Sequence, residues 1–389
     1  MKKLLLFTVI ASIASYSFSI SYGGSAEILG KAYKNTDKEL EKYAEGTLSG
    51  HLKIPFTKDN LQYLSVEGSV TEKLTDYADA DFDNYATADV SLFKYSGIFN
   101  LNKTDKIVLS AGRFMVSDVT GIILGQTNDG VMMQLLKQRI NATAYGGWTG
   151  LLNAQNVTVL DCKKSDFAYD SKKMYDYASS YAIGELSLSL PYLYLNQTVS
   201  AEALCLLGTK GLNSDNSDYY RAYFTLAQNG PLRSNVFYNT YASLCLDKDT
   251  DDPGMIAKVK ADWYPGYKSS SVSVSALYAS GEQGPFTAFK GITSSTAASS
   301  YDEPEYSAMI KTGLAGSVKP TDNIIVTAGA DLVMACPEKE IEYDGFQYNA
   351  GFKIQPFTDL SVNTNFTQFI GDDKTKNKAM LTLSTVMSF

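Results

Sequence analysis

The sequence predicts an all-β protein: a transmembrane antiparallel up-and-down β-barrel of about 18 strands, 16 being the alternative count, with short turns at one rim and long acidic loops at the other. Three observations predict it. Apolar and polar residues alternate with period two along most of the chain, as in half-buried antiparallel strands. Prolines stand between the alternating runs and not inside them, where a ladder donor would be lost. Short and long connections then take turns from one end to the other.

The first residues, MKKLLLFTVIASIASYSFS, carry two lysines, an apolar run from Leu4 to about Ala14 and small residues at Ser17 and Ser19. That is the layout of a cleavable secretory signal, so residues 1–19 are expected to be removed and 20–389 to form one domain. A membrane-anchoring helix is the alternative, but the run is shorter than the ~20 residues that span a bilayer. The first cysteine is Cys162, which excludes a lipoprotein signal. Net charge is −8 and becomes more negative once Lys2 and Lys3 are lost, which argues against nucleic acid as a partner. Of the four cysteines, Cys205 and Cys245 alternate onto opposite faces, leaving Cys162 and Cys336 as the one plausible bridge.

Strands are expected near residues 22–34, 45–55, 61–73, 84–100, 105–115, 128–137, 139–149, 181–190, 197–208, 219–228, 234–247, 254–265, 270–281, 306–318, 322–334, 345–355, 360–370 and 377–389. The clearest are SSVSVSALYA (270–279), GFQYNAGFKIQ (345–355) and LSVNTNFTQF (360–369); in the last, Leu360, Val362, Thr364 and Phe366 share one face. Short connections such as YPGYK, VKPTDN and QPFTDL contain proline, whereas LTDYADADFDN, NSDNSD, LDKDTDDPG and PEKEIEYD are long and acidic. A soluble sandwich has no need of that asymmetry. A bacterial outer-membrane barrel has it, together with even strand number and ~10-residue strands. Only closure satisfies every backbone group in hydrocarbon. Trp148, Trp263, Tyr264 and Phe357 stand near strand ends, as interfacial girdles require.

The leader, the alternating strands and the final NKAMLTLSTVMSF resemble Gram-negative-type outer-membrane β-barrel proteins, whose terminal aromatic and preceding alternate apolar residues are the label read by the barrel assembly machinery. The resemblance implies that role for Leu381, Leu383, Met387 and Phe389, with the last strand pairing near Ala26 and Ile28 to close the cylinder. The Tyr- and Ser-rich strands with Lys and Asp in the loops are similar in style to spirochaete outer-membrane proteins. The stretch GRFMVSDVTGIILGQTNDGV (112–131) resembles the Gly-Arg … Asp-Gly segment of porins of the phosphate-channel and alginate-export kinds.

So wide a barrel leaves an aqueous channel that its own side chains cannot fill. The expected function is an outer-membrane porin, embedded in outer-membrane lipid and passing small hydrophilic solutes; a homotrimer is one assembly open to it. Placing the polar faces inward gives the lining Lys53, Glu67, Asp89, Arg113, Arg139, Glu185, Glu202, Arg221, Lys258, Lys260, Asp262, Lys311, Asp331 and Lys353, close to balanced in sign. The connection 116–129 is apolar for an external loop and is expected to fold inward, bringing Asp118, Gln126 and Asp129 to a constriction; two long strands are the alternative. The loop 282–304, rich in Ser, Thr and Gly, suits a lid, a constriction or an antigenic surface. No cofactor and no metal cluster is expected, and one lumen-side histidine, His51, is a poor basis for an enzyme. The other readings are a surface adhesin carried on a barrel scaffold and a fatty-acid-type transporter, the latter disfavoured by the polar lumen and by the lack of a hatch.

Overall fold

The computed structural model describes residues 20–36, 40–76, 83–153, 173–178, 180–210, 219–282, 285–293, 306–336 and 340–389. The expected signal peptide and Cys162 lie outside the described residues, and with Cys162 the expected bridge. Cys336 is a buried free thiol, its Sγ 3.7 Å from the Ala279 carbonyl oxygen.

Eighteen antiparallel strands form one sheet: β1 (Ser21–Asn35), β2 (Glu41–Pro55), β3 (Gln62–Asp76), β4 (Asp83–Asn100), β5 (Lys106–Ser117), β6 (Gly125–Leu136), β7 (Asn141–Trp148), β8 (Tyr181–Tyr194), β9 (Gln197–Gly208), β10 (Tyr220–Arg233), β11 (Val236–Asp247), β12 (Gly254–Trp263), β13 (Ser271–Ala279), β14 (Met309–Thr321), β15 (Ile324–Ala335), β16 (Glu342–Phe357), β17 (Leu360–Gly371) and β18 (Lys378–Ser388). Each pairs with the next, and β18 pairs with β1, so the sheet is a closed barrel with no free edge. The expected architecture and strand number are those observed.

The seam is built by the terminal residues. Ala26 faces Met387 and Ile28 faces Thr385, and Gly24 and Phe389 exchange both backbone hydrogen bonds, at 2.9 and 3.0 Å. Gly24 suits this place, because a Cβ would lie 2.8 Å from the Ser49 carbonyl oxygen. Leu381, Leu383, Met387 and Phe389 all point outward, Phe389 with 68% of its surface exposed.

Alternation fixes inside and outside everywhere else. Ile28, Leu48, Val70, Leu186, Phe224, Leu226, Val259, Val274 and Leu314 are exposed on the outer wall, as lipid contact requires. Tyr22, Tyr192, Tyr194, Trp263, Tyr264, Tyr267 and Phe357 add an exposed aromatic band at the short-turn rim. The buried apolar cluster lies inside the barrel on one side only. It joins Tyr145, Tyr181, Ile183, Leu204, Leu206, Tyr223, Tyr241 and Ile256 of the wall to Ile123, Leu124, Phe289 and Ile292 of two long connections. Full burial of such a side chain is worth about 1.5–3 kcal/mol. These two connections are therefore part of the core.

Candidate functional site: a constriction made by two inturned loops

The β5–β6 hairpin leaves the wall near its tip. The β4–β5 ladder ends at Phe93↔Arg113 and the β6–β7 ladder begins at Asp129↔Trp148, while β5 and β6 stay paired up to Ser117↔Gly125. The segment beyond Arg113 thus has strand partners only within its own hairpin. Gly112 makes the departure possible: its φ is +116°, and a Cβ would stand 2.0 Å from the Phe93 carbonyl oxygen.

Arg113 holds the branch point. Its Nε and Nη2 donate to Oδ1 and Oδ2 of Asp129 at 2.9 and 2.8 Å, Nη1 donates to Val90 O at 3.3 Å, Nη2 donates to Leu151 O at 2.7 Å, and Asp89 lies 3.6 Å away. By register Arg113 and Asp129 lie between the pairs Ala111↔Val131 and Met115↔Thr127. Val131, still on the ladder to β7, is 53% exposed. Arg113 and Asp129 thus share one face of the hairpin at its branch point, where Arg113 is 7% exposed and its donors are taken up by Asp129, Val90 and Leu151. The space that the hairpin leaves is refilled from the next long connection. Ala88 N donates to Met174 O at 3.0 Å, Asn153 Nδ2 donates to Ala88 O and Met174 O at 3.0 and 3.1 Å, and Asn153 bridges Tyr177.

Inside, Asp118 folds the tip on itself. Its Oδ1 accepts from the amides of Ile123 and Leu124 at 3.0 and 2.9 Å, and its Oδ2 accepts from the Thr120 amide at 2.8 Å and from the Thr120 hydroxyl. Val119 N donates to Glu202 Oε2 at 2.9 Å, tying the tip to the inner face of β9. Gln126 donates to Asn128 Oδ1 at 2.8 Å.

The second loop lies on the first. Ile292 N and Thr293 N both donate to Ile123 O, at 2.8 and 3.0 Å, and the Thr293 hydroxyl accepts from Gly125 N at 2.9 Å. Arg221, 1% exposed, binds Asp247 at 3.1 Å and Gly291 O at 2.6 Å; Lys290 reaches the same Asp247 oxygen at 3.3 Å, and Tyr223 donates to Lys290 O at 2.8 Å. A charged clamp of β10 and β11 thus grips residues 290–291.

The remaining predicted residues fall into groups. Glu185 and Glu202 point inward but lie buried beside the first loop. Arg221 belongs to the clamp, and Arg139 sits exposed in the short turn between Lys137 and Ile140, two residues before the strand expected to carry it. On the side that the loops leave uncovered, Lys53 stacks 3.9 Å above the Tyr63 ring, Glu67 accepts from Ser91 at 2.8 Å, Lys260 pairs with Asp262 at 2.9 Å and Lys311 with Asp331 at 3.3 Å, while Lys353 is exposed. Lys258 projects among Lys260, Lys311, Asp262 and Asp331. Sequence reasoning missed Asp247 and Lys290, and for the second loop it named a constriction only as one of three roles. The signal was Phe286, Phe289 and Ile292, apolar residues in a connection otherwise small and polar.

No family model matches the chain, and no curated protein matches it. Solved structures do. The outer-membrane protein OpdK of Pseudomonas aeruginosa aligns with a TM-score of 0.61 at 7% identity, over 95% of this chain and 99% of its own. The fold is that of an outer-membrane porin. OccK9 (OpdG) of the same organism gives 0.62 at 11% identity over 96% and 98%, and OpdK crystallised with vanillate gives 0.60 at 7% over 95% and 98%. These are pseudomonad proteins, and they lend no support to the spirochaete-like resemblance.

Proposed function

We propose that the chain is an outer-membrane porin that lets small hydrophilic solutes diffuse passively through its barrel. The observation that carries this reading is the one-sidedness of the interior. Both inturned loops pack on the β8–β12 wall, burying Tyr181, Ile183, Leu204, Leu206, Tyr223, Tyr241 and Ile256, while Lys53, Glu67, Lys311, Asp331 and Lys353 of β2, β3 and β14–β16 stay partly accessible. In a barrel too wide for its side chains to fill, that leaves a wet passage beside the loops. Its lining comprises Lys53, Glu67, Lys258, Lys260, Asp262, Lys311, Asp331 and Lys353. Interleaved acids and bases of this kind support weak ion preference and broad acceptance of small solutes.

The similar OpdK is an outer-membrane protein, and it has been crystallised with vanillate, a small solute. Outer-membrane lipid would meet the apolar outer wall, and the barrel assembly machinery would read the outward Leu381, Leu383, Met387 and Phe389. A homotrimer is compatible with such a barrel. Liposome swelling with uncharged sugars of graded size tests the reading. Entry of small sugars with a sharp size limit is expected; liposomes that carry the folded barrel yet admit none of them would overturn it.

A further inference from the structure

The open side of the lumen is not uniform. Charge gathers on the inner face of β12–β16, where Lys260 pairs with Asp262 and Lys311 with Asp331. On β18, Leu381 and Leu383 point outward, so Thr382 and Ser384 point inward. They face Asn365 and Asn363 of β17, and these four inner side chains are neutral, polar and partly accessible. Asn363 Nδ2 donates to the Ser384 hydroxyl and Asn365 Nδ2 to the Thr367 hydroxyl, both at 3.2 Å. Each amide thus spends one donor on the wall and keeps its carbonyl oxygen and second N–H. Tyrosines gather where this strip nears the long-loop rim. Thr382 faces Lys31 of β1, which faces Tyr43 of β2; Tyr33 lies diagonal to Tyr43, and Tyr85 of β4 faces Lys73 of β3. Lys31 and Lys73 lie 5.6 and 5.9 Å from the Tyr43 and Tyr85 ring centroids, and the Tyr43 hydroxyl donates to the Glu45 carboxylate. Those contacts hold the rings in place while all three tyrosines stay partly accessible.

We propose that this sector is a track for neutral saccharides, entered at the three tyrosines and continued by Asn363, Asn365, Thr382 and Ser384. The inference rests on the porin reading and narrows its solute class. A pyranose has an apolar C–H face and a belt of hydroxyls, each of them donor and acceptor at once. The tyrosine rings, apolar in body and polar at the tip, suit the face. Amides and hydroxyls suit the belt, because they both donate and accept, whereas an ammonium head only donates and a carboxylate only accepts. The exchange costs little, since wall groups replace water with hydrogen bonds of the same kind. Charged solutes find their partners among the lysines and aspartates of β12–β16, so the two sides of one passage divide the solutes between them.

The test is recording from the full chain in planar bilayers with maltotriose added, against polyethylene glycol of matched size and sodium gluconate. Maltotriose is expected to lower the mean current saturably, while the glycol lowers it only in proportion to its concentration. The double variant N363A/N365A should raise the half-blocking concentration about tenfold or more, equivalent to about 1.4 kcal/mol of lost sugar binding. T382V, which keeps the shape of the wall and removes one hydroxyl, should shift it in the same direction. Maltotriose acting no more than the matched glycol, saturable block by gluconate without block by maltotriose, or an unchanged half-block in both variants overturns the track and leaves the porin reading standing. A folded wild type that gives no steps at all contradicts the porin reading itself, and the track with it.

Discussion

Arg113 shows how one side chain can set the course of a whole hairpin. Its guanidinium meets Asp129 in two parallel bonds and spends its remaining donors on the carbonyls of Val90 and Leu151, from strands and a loop that would otherwise part. A lysine offers a single point charge and cannot repeat that fork. R113K is expected to cost about 3 kcal/mol, as when one partner of a buried pair is lost. Denaturant unfolding checks the loss, and an unchanged midpoint would mean that the branch point is held elsewhere. Asp247 is the corresponding residue of the clamp. D247N leaves Arg221 buried beside a neutral partner, so the 287–293 segment should become protease-sensitive while the barrel stays intact, as limited proteolysis can establish. Alternation did not reveal that Arg113 is engaged at a branch point. Both faces of KIVLSAGRFMVS carry apolar residues, so the period-two pattern is mute there, and the irregular pairing of β4 near Ser91 shifts the count again.

At the scale of elements, the strands were legible because each half-buried run repeats the same physical demand, apolar toward lipid and polar toward water. The inward turn of 117–125 was legible too, since GIIL in a long connection is better buried than left in solvent. The descent of 286–293 was harder to read, because Phe286, Phe289 and Ile292 are diluted by Ser, Thr and Gly along the loop and gain meaning only once the Ile123 carbonyl accepts from Ile292 and Thr293. Gly112 ties the two levels together. G112A should be strongly destabilising to the inturned tip, because a methyl group cannot coexist with the Phe93 carbonyl. Its expected signature is a barrel that still folds but conducts with excess noise in single-channel records. A smaller effect belongs to the loop after β17. Lys376 pairs with Asp344 and Asp372 at 2.8 and 2.9 Å, and the Lys376 hydrogen bond holds the Asp372 carboxyl below its usual value. The link is therefore present at neutral pH and is lost only as pH falls through that lowered value. Amide exchange across 372–377 should accelerate in acid and not near pH 7.

At the scale of the whole molecule, closure, polarity and length together make the chain a membrane-spanning cylinder. The terminal strand completes it, with Phe389 both bonded to Gly24 and exposed at the rim. Deleting Phe389 is expected to reduce the amount of inserted barrel several-fold while leaving the conductance of each inserted barrel unchanged, which counting insertions and measuring step size separates. The architecture needed no comparison to be read from the residues. The interior did, because which charges face an open passage depends on where two loops lie, and a strand's alternation says nothing about what covers it. Solute passage requires an open lumen, which the 117–125 tip is expected to narrow. The most direct measurement is single-channel conductance in planar bilayers, comparing the wild type with a chain in which residues 118–124 are replaced by a short Gly-Ser turn. Steady steps from the wild type and steps about twofold larger from the shortened chain are predicted, as a wider lumen implies. No steps from a properly folded wild type, or identical steps from the two chains, would contradict the account.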